Sequence, residues 1–249
     1  MRVLIPLMIC MLALSGTAFA QEKALPFPKL SVEVGKATSP DDVSVTLQIL
    51  FLMTILSLAP AILILTTAFT RIIVVFHFLK QAMGTPQMPP SQVLIGLAMF
   101  LTFFVMAPTW SKVNDQALQP YLQKKMSLQE AYEKGVEPIR GFMFRQTREE
   151  DLGLFLNFAK LEKPKNRSEV PTYVLVPAYA ISELRVGFQI GFVLFIPFLL
   201  IDMVVASILM SMGMMMLPPV MVSMPFKILL FILVDGWYLV VESLMQSFH

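Results

Sequence analysis

Five ionisable residues lie within or against long apolar stretches of the sequence, and their chemistry needs an explanation. They are Arg71, Glu183, Asp202, Lys227 and Asp235. A charge at the centre of a bilayer costs about 2.5–3.5 kcal/mol on insertion scales, so it normally faces protein or water. We therefore expect these side chains to be buried polar groups that pair or pack between helices. For Arg71 and Lys227 the alternative is a side chain that reaches out to the membrane edge.

The spacing of these residues suggests which faces of the helices carry contacts. Lys227, Asp235 and Glu242 are eight and seven residues apart, which places them on one face of a helix. Gly187 and Gly191 form a Gly-x-x-x-Gly pattern, which lets another helix approach closely. Together these features call for more helix–helix contacts than four helices satisfy alone, so we infer an oligomer.

Residues that could carry out catalysis are missing from the sequence. It contains no phosphate loop, no H-E-x-x-H and no nucleophile elbow. The histidines are His77 and His249, and His77 in "VVFHFLK" fits a packed or interfacial residue better than a ligand. No general base stands beside a nucleophile. The sequence therefore predicts a protein that is not an enzyme, with no metal site and no cofactor.

The composition indicates a membrane protein. The 249 residues are 56% hydrophobic and 14% charged, with a mean hydropathy of +0.71, whereas a soluble domain is about half apolar and about a quarter charged. The net charge of +2 is too small for a nucleic-acid binder.

Residues 1–20 have the pattern of a cleaved secretory signal peptide. Arg2 is followed by the apolar run "VLIPLMICMLALSG", and "TAFA" places Ala18 and Ala20 at the small-residue positions of a cleavage site. The mature chain is then expected to begin at Gln21. The alternative is an uncleaved first anchor, for which the apolar run is short.

The rest of the chain divides by composition into four segments. Residues 21–42 are a polar exported arm, and residues 43–110 are a first helical hairpin. This hairpin begins with an apolar stretch from 43 to about 83, interrupted by Pro60 and Arg71. Residues 111–183 are a charged helical domain, and residues 184–249 are a second helical hairpin. Counting spans from an exported N-terminus places the charged domain in the periplasm. The fold class is thus an all-α integral membrane protein: two long hairpins with an inserted, mainly helical exported domain.

Three helix boundaries are legible within these segments. "SLQE" (127–130) and "TREE" (147–150) both fit the capping box, and the second precedes an amphipathic run. Pro218 and Pro219 must interrupt the last apolar stretch, since consecutive prolines remove two donors. They make "ASILMSMGMMMLPPVMVSMPF" (206–226) the tip of the second hairpin, with seven methionines and no charge.

Two stretches resemble the FliP family of flagellar type III export-gate proteins and its injectisome relatives. They are "FTRIIVVFHFLKQAMGTPQMPPSQVLIGLAMFLTFF" and "SELRVGFQIGFVLFIPFLLIDMVVASILMSMGMMMLPPVMVSMPFKILLFILVDGW". The likeness covers most of residues 45–245. It implies a core pore-forming subunit that passes unfolded flagellar subunits across the bacterial inner membrane at the flagellar basal body. An injectisome homologue of the same gate is an alternative, as is a membrane scaffold that nucleates basal-body assembly.

The same resemblance implies the partners. Members are thought to assemble as a pentamer, so the chain would bind copies of itself to form a multi-subunit pore. FliQ, FliR, FlhB and FlhA are the other implied subunits, and the unfolded export substrates and the lipid membrane complete the set. Gates of this family resemble a closed helical cone largely above the membrane plane, so the apolar helices need not all cross the bilayer.

Two hypotheses concern specific sites. We expect Glu183 and Lys227 to pair between subunits, because each begins a long apolar helix and an antiparallel hairpin separates them within one chain. We also expect Met214, Met215 and Met216 to form a gasket, with Gly213 turning the backbone. Methionine is flexible and re-packs around varied partners, and a ring of apolar side chains can exclude water. Ordinary core packing is the alternative for these methionines.

Overall fold

The computed structural model describes residues 40–85, 88–161, 164, 166–214 and 216–248, with side chains from Leu47 onward. The signal peptide, nearly all of the polar arm, Met215 and His249 lie outside this part. The described residues contain helices and turns and no strand. The chain separates into two units, Met1–Leu50 and Phe51–His249. The described part of the first unit is the beginning of one helix, and the second unit holds the other described helices.

Nine α-helices run through the described residues, with one π-helical and one 3₁₀ segment between them. In chain order they are α1 (Pro40–Thr66), α2 (Phe69–Ala82), α3 (Ser91–Val113), the π segment Asn114–Leu118, α4 (Gln119–Leu122), α5 (Leu128–Gln146), α6 (Glu149–Phe158), the 3₁₀ segment Arg167–Glu169, α7 (Thr172–Ser211), α8 (Pro219–Leu233) and α9 (Gly236–Gln246).

Helix α2 forms the centre of the second unit and packs mainly against α7. Its buried side chains recur at the spacing of one helix face. They are Ile72, Val75, Phe76, Leu79 and Ala82, each at most 1% exposed. The facing residues of α7 include Leu175 and Tyr179, which are fully buried. The apolar stretch from 43 to about 83 therefore contains two helices, α1 and the separate core helix α2.

Hydroxyl groups close the break between α1 and α2. Thr67 Oγ1 donates to the carbonyl of Leu63 at 2.7 Å, and Thr70 Oγ1 donates to that of Ile64 at 2.9 Å. Tyr179 of α7 donates its hydroxyl to the Thr67 carbonyl at 2.8 Å. These bonds satisfy carbonyls that the ended helix leaves without partners, and Tyr179 fixes the break against α7.

Three helical stretches in the described residues are long and apolar enough to cross a membrane. They are Leu47–Thr66, Ser91–Leu122 and Thr172–Ser211, and the α8–α9 pair, bent by 65°, is a fourth if counted as one span. The all-α membrane fold is thus confirmed. With 40 residues, α7 is about 60 Å long at 1.5 Å per residue, about twice the hydrocarbon thickness. Part of α7 must therefore lie outside the bilayer core.

One of the two predicted helix caps is present. Ser127 begins α5 with a complete capping box: its backbone N–H donates to Glu130 Oε2 at 2.8 Å, and the Glu130 N–H donates to Ser127 Oγ at 3.2 Å. The cap predicted at Thr147 is wrong. Its hydroxyl donates backwards to the Met143 carbonyl at 2.7 Å, so α6 begins with Arg148 as its N-cap residue.

The predicted common face of Lys227, Asp235 and Glu242 is also wrong. The chain bends between α8 and α9, where Asp235 takes a left-handed conformation with φ +51°. A Cβ on Gly236 would lie 2.2 Å from the Phe231 ring, so the ring and backbone meet closely only because residue 236 is glycine. Asp235 is exposed in the chain and does not occupy the buried position expected of it.

Candidate functional site: two buried ion pairs and a methionine-rich turn

Arg71 and Glu183 form a buried ion pair in the first turn of α2. Arg71 Nε donates to Glu183 Oε2 at 3.0 Å, and Nη2 donates to Oε1 at 2.5 Å. The Arg71 side chain is 2% exposed and that of Glu183 is 0% exposed. Two parallel N–H···O bonds make this the strong bidentate form of the pair. The pair joins α2 to α7.

The remaining groups of Arg71 bind the end of α5 and the C-terminal end of the chain. Nη1 donates to the Ser247 carbonyl at 2.7 Å and to Ser247 Oγ at 3.1 Å, while Nη2 donates to Gln146 Oε1 at 2.9 Å. The guanidinium lies 4.0 Å from the centre of the Phe248 ring, within the range of a cation–π contact. Arg71 of α2 thus contacts α7, the end of α5 and the C-terminal residues, and so connects four segments of the fold.

A second ion pair lies at the other end of α2. Lys227 Nζ of α8 donates to Asp202 Oδ2 of α7 at 2.6 Å and to the Ala82 carbonyl at 3.1 Å. Ser223 Oγ donates to Asp202 Oδ1 at 2.5 Å. Lys227 is 2% exposed and Asp202 is 20% exposed. The ammonium therefore neutralises one carboxylate and also caps the negative C-terminal end of α2.

These contacts correct the charge pair expected from the sequence. Glu183 is bound to Arg71 and Lys227 to Asp202, both within one chain, so neither needs the other across a subunit boundary to be satisfied. Gln146, Ser247 and Ser223, which complete the two sites, were not identified from the sequence. A glutamine, two serines and a backbone carbonyl carry no pattern that distinguishes them from other polar residues.

Gly187 and Gly191 lie against α2 of the same chain. A Cβ on Gly187 would stand 3.1 Å from the Cβ of Val74, and one on Gly191 would stand 2.6 Å from the Phe78 ring. The 2.6 Å distance is shorter than real Cβ contacts, and the 3.1 Å distance is tighter than most of them. The two glycines therefore let α2 and α7 pack closely. The Gly-x-x-x-Gly pattern is thus accounted for by this internal helix pair.

Helix α7 ends in a glycine turn at the start of the methionine cluster. Gly213 has φ +75°. Its N–H donates to the Met210 carbonyl at 3.0 Å, and the Met214 N–H donates to the Leu209 carbonyl at 2.9 Å. This pair of bonds is the Schellman motif, which requires a residue that adopts a left-handed conformation without strain.

The two prolines after the turn start the next helix. Pro218 is the N-cap residue of α8, with φ −65° and ψ 116°, and Pro219 is its first residue. A proline loses nothing at the first helical position because that N–H has no partner in the helix. Gly213 and Pro218 therefore lie in the link between α7 and α8, and Pro219 begins α8.

Methionines are concentrated in and beside this link, and their side chains are exposed in the single chain. The exposed fractions of the described members are 61% for Met210, 62% for Met212, 43% for Met214 and 98% for Met216. Apart from its chain neighbours, no described residue lies within 4 Å of the position that a Cβ on Gly213 would occupy. An uncharged, flexible and uncovered apolar surface therefore stands at the end of the hairpin.

Comparison with known proteins places the chain in a family. The model of the FliP family matches residues 52–244. The chain belongs to the FliP family. That match contains both ion pairs and the methionine-rich turn. The FliP family is a core component of the flagellar type III export apparatus, and the resemblance drawn from the two sequence stretches is confirmed.

Individual members of the FliP family are similar over most of their length. The chain is 59% identical to the flagellar biosynthetic protein FliP of Bacillus subtilis (strain 168), over 87% of this chain and 98% of that protein. It is 53% identical to that of Pectobacterium carotovorum subsp. carotovorum, over 83% and 80%. It is 43% identical to that of Borreliella burgdorferi, over 95% of both chains.

Proposed function

We propose that this protein is the core pore-forming subunit of the flagellar type III export gate, through which unfolded flagellar subunits cross the inner membrane. The observation that carries the proposal is the methionine-rich turn. It closes a hairpin of apolar helices, it contains no charge, and its described methionine side chains are 43–98% exposed in the single chain. Membership of the FliP family supplies the process.

The turn has the chemistry that a constriction for many substrates needs. In a symmetric ring every copy presents the same residues, so one turn per subunit would meet around an axis. Methionine adapts its shape to irregular partners, and an empty apolar ring excludes water and ions by dewetting. The exposed apolar surfaces of α1 and α7 would bind neighbouring copies, FliQ, FliR or lipid.

The remaining assignments belong to the same proposal. The gate is a homo-oligomer, a pentamer by resemblance, that works with FlhB and FlhA and has no catalytic activity of its own. Residues 111–183 stand in the periplasm, and the two helical hairpins, 43–110 and 184–249, build the gate. The names of the three relatives refer to flagellar biosynthesis, which favours the flagellar gate over an injectisome homologue.

Cysteine crosslinking to a stalled substrate tests the proposal. The native chain has one cysteine, Cys10, within the predicted signal peptide, so a single introduced thiol reports its own surroundings. Met216→Cys, in cells that stall an export substrate on a fused folded domain, is expected to crosslink to a cysteine in the stalled segment. The matched control is Met53→Cys in α1, which is 60% exposed in the single chain.

The outcome separates a pore from a scaffold. Crosslinking at Met216→Cys without crosslinking at Met53→Cys supports a pore whose constriction is the turn. A scaffold that only nucleates the basal body keeps the substrate away from both positions. Equal yields at both positions, or none at Met216→Cys in an assembled gate, would contradict the proposal.

A further inference from the structure

A polar cavity of about 380 Å³ lies at the turn between α2 and α3. Its residue Gly84 is next to Lys227 of the second ion pair, but neither ion pair contributes a side chain to the lining. The lining combines a lysine, an imidazole, an amide and two hydroxyl groups. The residues are His77, Lys80, Gln81, Gly84, Thr85 and Ser91. Neither the buried contacts of the fold nor the proposed pore accounts for this collection of polar groups on the surface.

The charge at this cavity is positive. Lys80 Nζ donates to Ser91 Oγ at 3.1 Å, and no carboxylate among the described residues lies within 4.0 Å of it. The nearby charge of Lys227 is already neutralised by Asp202, and its ammonium covers the Ala82 carbonyl at the end of α2. Lys80 therefore has donors to spare for an anion.

An apolar cavity of about 460 Å³ adjoins the polar one. The two share His77 and Gln81, which are in contact through a side-chain hydrogen bond of 3.2 Å. Ile73, Val74, Phe78 and Phe188 form the apolar part of the lining. The Phe78 and Phe188 rings meet edge to face, with their centroids 5.1 Å apart, and Phe188 is exposed.

The two cavities follow one face of α2 and change from apolar to polar along it. From Ile73 to Gly84, α2 and the start of the turn that follows it extend about 16 Å, at 1.5 Å per residue. Ser91, at the polar end, is also the first residue of the span Ser91–Leu122. The groove is thus cationic where a membrane span begins, and it is apolar beside Phe188, a residue of another span. A phospholipid has the same polarity, with a charged headgroup at one end and apolar chains at the other.

We propose that this groove binds an anionic phospholipid, with the headgroup phosphate at Lys80 and Ser91 and an acyl chain against Phe78 and Phe188. A phosphate complements the spare charge of Lys80, and basic pockets beside membrane helices recognise headgroups in this way. The groove would tie the α2–α3 turn, and with it the end of the central helix, to the membrane surface. This role is separate from the proposed pore.

Native mass spectrometry of the complex purified in detergent tests the proposal. Phosphatidylglycerol is titrated into the complex, beside two partial probes, glycerol 3-phosphate and uncharged diacylglycerol. Phosphatidylglycerol is expected to remain bound, and each partial probe to bind much more weakly. Lys80→Gln should weaken phosphatidylglycerol binding about tenfold, the effect of losing one charge-assisted contact. Lys80→Arg should retain binding.

The control variant is Lys112→Gln, at the other end of α3. Lys112 is exposed in the last turn of that helix and does not line either cavity, so its loss should leave binding unchanged. The mass spectrum itself shows whether each variant remains assembled. Equal losses in Lys80→Gln and Lys112→Gln, no retained lipid, or glycerol 3-phosphate binding as tightly as the lipid would each overturn the proposal.

Discussion

The charged residues along the α7–α8 hairpin differ sharply from the methionines at its tip. Along α7, Glu183 and Asp202 are each bound by a cation of another helix, and no described buried side-chain nitrogen or oxygen lacks a hydrogen-bond partner. At the tip, Met212, Met214 and Met216 are exposed and uncovered. The chain thus satisfies these buried charges by itself, while the described methionines at the tip keep much of their side-chain surface exposed.

In the proposed assembly, that difference separates the part of a subunit that is complete by itself from the surface that neighbouring subunits would cover. Ion pairs fix one arrangement, because a buried charge that loses its partner is costly. Methionine contacts fix no single arrangement, because the side chain re-packs readily. The two ion pairs that clamp α2 therefore suit a rigid frame, and the turn suits a surface that must close on itself and yield to different chains.

Removing the buried carboxylate of the first clamp should have the largest effect. Glu183→Gln leaves the Arg71 charge buried without its anion, and we expect the free energy of unfolding to fall by about 3–5 kcal/mol. Glu150→Gln is the matched control, since its pair with Arg148 is exposed on both sides and should contribute about 0–1 kcal/mol. Denaturant unfolding in detergent measures both, and equal losses would refute the buried clamp.

The second clamp should be weaker, because Asp202 is partly exposed. We expect Lys227→Met to cost about 2–3 kcal/mol, the range of a hydrogen bond to a charged group. The exchanged pair Asp202→Lys with Lys227→Asp should recover part of this loss in the same unfolding measurement.

A different exchange distinguishes this pairing from the one expected from sequence. Glu183→Lys combined with Lys227→Glu should be no better than either single change, since the structure gives these residues different partners. Rescue of gate assembly by that double exchange, measured by the yield of assembled complex, would restore the contact between subunits and overturn the intrachain pairing.

The smallest effect concerns the cap of α5, which lies outside the apolar spans. The Ser127 backbone N–H, and then its hydroxyl, hold the pKa of Glu130 below its ordinary value. A carboxyl with a lowered pKa stabilises the folded state above its ordinary pKa and loses that contribution as the pH falls through the folded value. The first turn of α5 should therefore become less protected on acidification.

Hydrogen exchange at the Glu130 amide measures this cap. Ser127→Ala should speed its exchange roughly fivefold at neutral pH and reduce the acid dependence, because the backbone N–H of residue 127 still donates to Glu130. The uncapped start of α6 is the internal comparison, because its N-cap residue Arg148 makes no side-chain cap bond. An unchanged exchange rate in Ser127→Ala would show that the capping box contributes nothing to α5.

Local patterns predicted some of these features well. The hydrophobic composition indicated membrane helices, "SLQE" indicated the α5 cap, and the paired prolines indicated the end of the hairpin, because each depends on neighbouring residues. The partner of Lys227 was also within reach. Asp202 and Lys227 lie equally far from the middle of the turn, and residues equally far from the turn of an antiparallel hairpin lie side by side.

Other features depend on contacts that no local pattern encodes. The Arg71–Glu183 pair joins residues 112 positions apart. The apolar sequence of α2 indicates part of a membrane span, whereas the structure buries this helix against α7 and makes it a core helix. The bend at Asp235 needs a left-handed aspartate and a ring packed on Gly236, whereas the apolar sequence around it favours a continuous helix.

The most direct test of the central claim is ion leak across the inner membrane in cells that make the complete gate. Replacing Met214, Met215 and Met216 by alanine should raise the leak while the complex still assembles, because shorter side chains leave a wider, wetter constriction. Met203→Ala, an exposed methionine within α7, should leave it unchanged. An unchanged leak in an assembled complex of the triple variant would contradict the claim that the turn forms the seal.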